Sequence, residues 1–120
     1  MTPPFTPITS ITALERLVDH TRQHPVVLFK HDPTCPISAA AYQEMARLQA
    51  DVAVVDVGQH NDIAQEIAVR TGIEHESPQV IVFADGQPIW STSRYDITAT
   101  GVEQAVRRAW QRSQRARSTG

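Results

Sequence analysis

The chain has 120 residues, 41% hydrophobic and 20% charged, which is the make-up of one ordinary globular domain able to build a core without disulfide or metal staples. A formal charge of −2, a pI near 6.2 and 6% aromatic residues exclude the basic face and the stacking platform that nucleic-acid binding needs, and offer no pull toward an anionic membrane. The single cysteine, Cys35, excludes an intrachain disulfide. No window approaches the roughly 18 apolar residues of a membrane span, and Met1-Thr2-Pro3-Pro4-Phe5 has neither a charged n-region nor an apolar h-region. The expected setting is cytoplasmic, with the thiol reduced at rest.

Residues 1–9 are rich in proline and threonine; Phe5 and Ile8 pin either a short edge strand or an extended arm. Thr12-Ala13-Leu14-Glu15 has the form of a capping box. Leu14, Leu17, Val18 and Thr21 continue a helical stripe until Pro25 forbids it, which predicts a first helix over about 12–23. Val26 to Lys30 is short, apolar throughout and β-branched or aromatic, the pattern of a central strand covered on both faces. After Pro36, the apolar set Ile37, Ala41, Met45 and Leu48 predicts a helix to about Gln49. Val52 to Val57 is a second continuous apolar strand, so the two strands pair in parallel across a helical crossover.

Asp62-Ile63-Ala64-Gln65 resembles another capping box, and Ile63, Ala64, Ile67 and Ala68 form a stripe that stops at Gly72, giving a third helix over about 63–71. The strand Val80 to Phe83 turns through Asp85-Gly86 into Pro88-Ile89-Trp90-Ser91, a hairpin signal. Thr100-Gly101-Val102-Glu103 opens a last helix with Val102, Ala105, Val106, Ala109 and Trp110 as its buried stripe. Beyond it, residues 112–120 read as a frayed basic tail, the alternative being a docking site for acidic partners. There is no internal repeat and no second domain. The whole is an α/β domain whose central mixed sheet of about four to five strands is flanked by helices on both faces.

Cys35 stands at the first strand-to-helix junction. Pro36 suits the first helical position, because it lacks an N–H that would be unpaired there and has its φ preset. Cys35 is then the cap residue, with the N–H groups of Ile37 and Ser38 expected to point at its sulfur. Thiol–disulfide exchange needs a thiolate, and an ordinary cysteine with pKa about 8.5 is only a few per cent ionised at neutral pH. A helix end stabilises an anion by about 0.3–1 kcal/mol, up to about 2 in favourable geometry, and one pKa unit needs about 1.4. The remainder falls to backbone N–H groups and the Ser38 hydroxyl; Lys30 or His31 adds positive charge only if strand alternation points it at the thiol. Two other readings stay open, a buried and inert Cys35 and a Ser38 that is plain helix surface.

The order helix, β, α, β, α, β, β, α resembles the thioredoxin fold. Phe29-Lys30-His31 leading into Thr34-Cys35-Pro36-Ile37-Ser38, then Gly72-Ile73 with His75-Glu76-Ser77-Pro78-Gln79-Val80, and Trp90 followed by Ile97-Thr98, resembles the bacillithiol-system monothiol bacilliredoxins (YtxJ type) over roughly residues 9–110. That resemblance implies removal of bacillithiol from its mixed disulfides with client proteins. Cys35 is then the attacking thiol, with Thr34, Pro36, Ile37 and Ser38 around it, and Ser38 stands where dithiol relatives carry a resolving cysteine. Ser77-Pro78, expected cis from the fold, forms a second wall with Lys30 and His31 on the substrate side. Read from the residues themselves, Trp90 and Trp110 contribute to packing, Trp90 beside the hairpin being the one within reach of the groove, and Arg94 and Tyr95 offer a rim.

No cofactor is expected, bacillithiol or another small thiol being a co-substrate, and the partners are S-bacillithiolated clients, with a monomer or weak dimer as the assembly. Relatives often carry an arginine just ahead of the third helix. This chain has Gln59-His60-Asn61-Asp62, so an anion contact there is not carried over.

Among the five histidines, His20-His24 is the one i,i+4 pair, and it lies across the end of the first helix with no third ligand nearby in sequence. All five therefore read as surface residues, with no metal. Three further readings compete with the leading one. A glutathione-dependent or generic monothiol redoxin differs only in its thiol. An iron–sulfur carrier would place glycine where Pro36 stands, and a non-enzymatic adaptor would have an incidental cysteine.

Overall fold

The computed structural model describes the backbone of residues 5–119 and the side chains of residues 5–115. Of the N-terminal arm, residues 1–4 lie outside this range, as do Gly120 and the last side chains of the tail. Five strands form one mixed sheet in the order β1-β3-β2-β4-β5: Thr6–Pro7, Val52–Asp56, Val26–His31, Gln79–Ala84 and Gln87–Ser93. β1 and β3 run parallel to their neighbours up to β2, whereas β4 and β5 are antiparallel. The arm thus becomes an edge strand: Ile8 N–H donates to Val54 O, and Phe5 and Ile8 are buried.

Strand alternation splits the core in two. Val27, Phe29, Val80 and Val82 face α2 (Pro36–Met45) and α4 (Ala99–Thr119), packing on Ala41, Met45, Val102, Ala105 and Ala109. Val26, Leu28, Ile81 and Phe83 face the other way, toward Leu14 of α1 (Ile11–His20) and Ile63 and Ile67 of α3 (Asn61–Thr71). A strand apolar on both faces is what a sheet sandwiched between helix layers requires. β2 is central, as its unbroken apolar run predicts.

The boundaries move for identifiable reasons. Ser10, not Thr12, caps α1: its Oγ accepts from Ala13 N–H, so the helix starts earlier than expected. It also ends earlier, at His20, because Thr21 is buried and fastened to the β4–β5 turn, its carbonyl taking Asp85 N–H and its Oγ1 taking Gly86 N–H. α2 stops at Met45, four residues short of Gln49, through i→i−3 bonds at Arg47 and Leu48. α3 begins at Asn61 with His60 as a cap residue that makes no side-chain bond, so Asp62 lies in the first turn and does not cap it. Gly72 closes that helix in the left-handed region at φ 71°.

Asp85 and Gly86, at φ 55° and 77°, make the hairpin turn with both central residues left-handed. α4 does not stop at Trp110: it continues to Thr119, and Ser113 is buried with its Oγ donating to Asp85 Oδ2. Trp110 itself is 40% exposed and falls outside the buried stripe.

Candidate redox site at the β2–α2 junction

Three local interactions build the loop that carries Cys35. Asp32 Oδ1 accepts from both Thr34 N–H (2.9 Å) and Thr34 Oγ1 (2.7 Å), the closed ring of an Asx turn. Thr34 holds the Asp32 carboxyl below the ordinary carboxylate range through these two bonds, the hydroxyl's first. Cys35 N–H donates to Asp32 O, and Cys35 O accepts from Ala39 N–H, so the chain enters α2 with Cys35 as cap residue and Pro36 at the first helical position. The thiol is free and half-exposed.

The sulfur takes no capping hydrogen bond, contrary to the expectation for the Ile37 and Ser38 N–H groups. Ser38 is also engaged elsewhere. It is fully buried; its Oγ accepts from Asp32 N–H at 2.9 Å and lies 2.7 Å from His31 Nδ1. Its role is to tie the last residue of β2 and the first residue of the loop to the first turn of α2. Thr34 likewise spends its hydroxyl on Asp32.

Alternation along β2 sends Lys30 and His31 to opposite faces. His31 lies on the α2 side against Phe29 and Tyr42, and burial lowers its pKa against the pull of the Asp56 and Asp32 carboxylates. Lys30 is fully buried on the α3 side, its Nζ 3.2 Å from His75 Nδ1, and burial lowers its pKa to about 8. His75 is lowered in turn, by burial and then by Lys30. Neither side chain hydrogen-bonds the thiol.

The second segment approaches the same end of the sheet. Lys30 pairs with Gln79 across β2 and β4, so Pro78 comes level with His31, the last residue of β2, and Ser77 with the start of the Cys35 loop. The Ser77–Pro78 bond is cis, Pro78 is buried, and Pro78 O accepts from Arg94 N–H. Two buried oxygens near this segment, Ser77 Oγ and Gln79 Oε1, have no hydrogen-bond partner. Arg94 and Tyr95, in the 3₁₀ turn Arg94–Asp96, join Pro36, Ile37 and Ala40 in lining a groove of about 330 Å³ beside the cysteine loop. Trp90 packs on the core under α2 and α4 and is not part of that groove.

A lone cysteine on a helix N-terminus beside a cis-proline segment is compared most directly with families built that way. The family profile described as monothiol bacilliredoxin BrxC matches residues 6–102. The chain belongs to the monothiol bacilliredoxin family. A solved thioredoxin-fold protein assigned as an oxidoreductase is 31% identical, with 85% of this chain and 93% of that one covered and a TM-score of 0.80. More distant likenesses speak for the fold alone. Mitochondrial thioredoxin 3 of Saccharomyces cerevisiae matches at 20% identity, coverage of 86% and 93% and a TM-score of 0.66. Thioredoxin of Trypanosoma brucei brucei matches at 13%, coverage of 92% and 95% and a TM-score of 0.71.

A bacilliredoxin-family chain with one cysteine is a monothiol redox protein, and Cys35 is the residue able to carry that chemistry. Among the described residues, no helix is long and apolar enough to cross a membrane.

Sequence reasoning quoted His75 and Gln79 within the family motif but gave neither a role, reading His75 as a surface residue; the strand register that brings their segment beside Lys30 supplies what the motif did not. Only His20 among the histidines is exposed; the other four are half-buried, and three of them are hydrogen-bonded to Asp51, Ser38 and Lys30 respectively.

Proposed function

We propose that this bacilliredoxin removes bacillithiol from mixed disulfides with client proteins in the cytoplasm. The Cys35 thiolate attacks the bacillithiol sulfur of the mixed disulfide. A Cys35–bacillithiol disulfide forms and the client leaves as a thiolate that takes a proton from water. With one cysteine in the chain, no internal thiol can resolve this intermediate. A second small thiol attacks the bacillithiol sulfur, regenerating Cys35 and releasing the small-molecule disulfide. The observation that carries the reading is the half-exposed Cys35 at the start of α2 in a chain of this family.

In this scheme Thr34, Pro36, Ile37 and Ser38 shape the loop and helix start that hold the thiol. Ser77 and Pro78 form the opposite wall, with His31 beneath the site on the α2 face of β2 and Lys30 enclosed on the other face. The groove between α2 and Tyr95 receives the client.

The test is release of bacillithiol from a modified client, followed by mass, with glutathione-modified client in parallel. Loss of release on Cys35→Ser with the fold intact supports the redox role, and undiminished turnover by that variant refutes it. Equal or faster release of glutathione would replace bacillithiol with a generic thiol while leaving the role of Cys35 in place.

A further inference from the structure

We propose that His20, His24 and Asp51 form a binding site for a divalent transition-metal ion of the zinc or copper class, at the end of the sheet opposite Cys35. One nitrogen of each histidine and one carboxylate oxygen of Asp51 all lie within 4.8 Å of one another, the only such group among the described residues. The donors of a tetrahedral zinc site, at about 2.0–2.1 Å from the ion, are roughly 3.3 Å apart, so side-chain rotation of about an ångström closes the set. Two imidazoles and a carboxylate are a borderline donor set that suits zinc or copper over calcium or magnesium.

The backbone brings these three together, although the sequence separates them. His20 is the last residue of α1, and His24 follows one turn later. Their rings meet edge to face with centroids 4.2 Å apart. Asp51 arrives from the start of β3, and the parallel register pins it: Val27 N–H donates to Asp51 O, which sets His24 and Asp51 side by side at the N-terminal ends of neighbouring strands. His24 Nε2 then lies 2.8 Å from Asp51 Oδ2. His20 and Asp51 border a depression of about 300 Å³ whose other lining residues are Thr6, Leu17, Val26, Val52 and Ala53, so the ligand position left to water faces open space. Three protein ligands with the remaining position left to water is an open site.

The ends of a six-residue strand lie roughly 17 Å apart, so an ion here does not touch the thiol. It would clasp the end of α1 to the start of β3, and an ion that binds only the folded chain stabilises it. Trp110 provides a built-in reporter, because its ring lies nearly parallel to that of His24, at 12° and 6.1 Å between centroids.

The experiment uses the untagged full chain carrying Cys35→Ser, which removes the competing thiolate. Titration with zinc chloride in a calorimeter is expected to show one ion per chain and a rise in Tm. His20→Ala and Asp51→Asn, both substitutions of exposed side chains, are each expected to weaken binding at least tenfold and to abolish the rise in Tm. Copper(II) is expected to quench tryptophan fluorescence in this chain, and Trp110→Phe to remove most of the quench while leaving zinc affinity unchanged. The proposal is overturned by absence of zinc binding up to millimolar concentration, or by binding that neither His20→Ala nor Asp51→Asn changes.

Discussion

Ser38 Oγ lies 2.7 Å from His31 Nδ1 and 2.9 Å from Asp32 N, inside a side chain with no exposed surface. The hydroxyl accepts from the Asp32 amide and is hydrogen-bonded to His31 Nδ1, with donor and acceptor in that second bond set by the imidazole tautomer. Ser38→Ala strands a buried amide and a buried ring nitrogen. It is expected to cost about 1–3 kcal/mol in urea unfolding. Because the hydroxyl is not bonded to sulfur, the rate at which Cys35 is alkylated at neutral pH is expected to change less than twofold in the folded variant. A tenfold fall in that rate with unchanged stability would return Ser38 to the thiolate.

The same position tests the missing resolving group. Ser38 is on the first turn of α2, three residues after Cys35, and Ser38→Cys places a second sulfur on that turn. Mild oxidation is expected to remove both titratable thiols, and release of bacillithiol from the Cys35 adduct should no longer require a second small thiol. A variant that keeps both thiols under oxidant would show that the helix start holds the two sulfurs apart.

Lys30 carries the clearest pH dependence. Its pKa falls from the ordinary 10.5 to about 8 in the folded chain, through burial. Between those values the unfolded chain binds more protons than the folded one, so stability rises with pH across that window; below about pH 8 both states are charged and the cost of burying the ammonium is fully present. At about 1.4 kcal/mol per unit the whole effect is roughly 3 kcal/mol. Lys30→Met removes it. The stability difference between parent and variant is expected to move in the parent's favour between pH 7 and pH 10 by up to that amount, and a difference that stays flat would show that Lys30 keeps an ordinary pKa.

Local chemistry made much of this fold legible. Val26 to Lys30 reads as a central strand because every position is apolar or long, Gly72 as a helix stop because only glycine takes φ 71° freely, and Asp85-Gly86 as a hairpin because both residues tolerate positive φ. Cys35 and Pro36 read as cap and first helical residue for the same local reasons. What stayed hidden depends on register between distant segments. Asp51 reaches His24 only because β3 pairs with β2 in parallel, His75 reaches Lys30 only after α3 has turned back, and Thr21 ends α1 by binding a turn some sixty-five residues later. A lysine in a strand reads as a solvated end, and nothing local announces that Lys30 is enclosed. The capping boxes at Thr12 and Asp62 each missed the cap by two residues: Ser10 offers its oxygen to Ala13 N–H, and α3 starts from His60 with no side-chain cap bond.

Gly72 isolates backbone strain from packing. An added Cβ there meets nothing within 4 Å, so Gly72→Ala loses only the left-handed preference. The expected cost is about 1–2 kcal/mol by thermal unfolding, and Gly72→Asn should cost less because asparagine enters that region more readily. Equal stability of the alanine variant and the parent would mean that the loop rearranges around the new residue.

Tyr95 separates recognition of a client from chemistry on its disulfide. The ring is 81% exposed and, with Ile37, borders the groove beside the Cys35 loop. A large exposed aromatic beside a groove is the kind of side chain that anchors a protein partner, where truncation costs about 1–2 kcal/mol or more, whereas a small disulfide reaches Cys35 without touching it. Tyr95→Ala is therefore expected to raise KM for a bacillithiol-modified protein by on the order of tenfold and to leave the rate with a small-molecule mixed disulfide unchanged. A loss of equal size on both substrates would place Tyr95 in the support of the cysteine loop and outside client recognition.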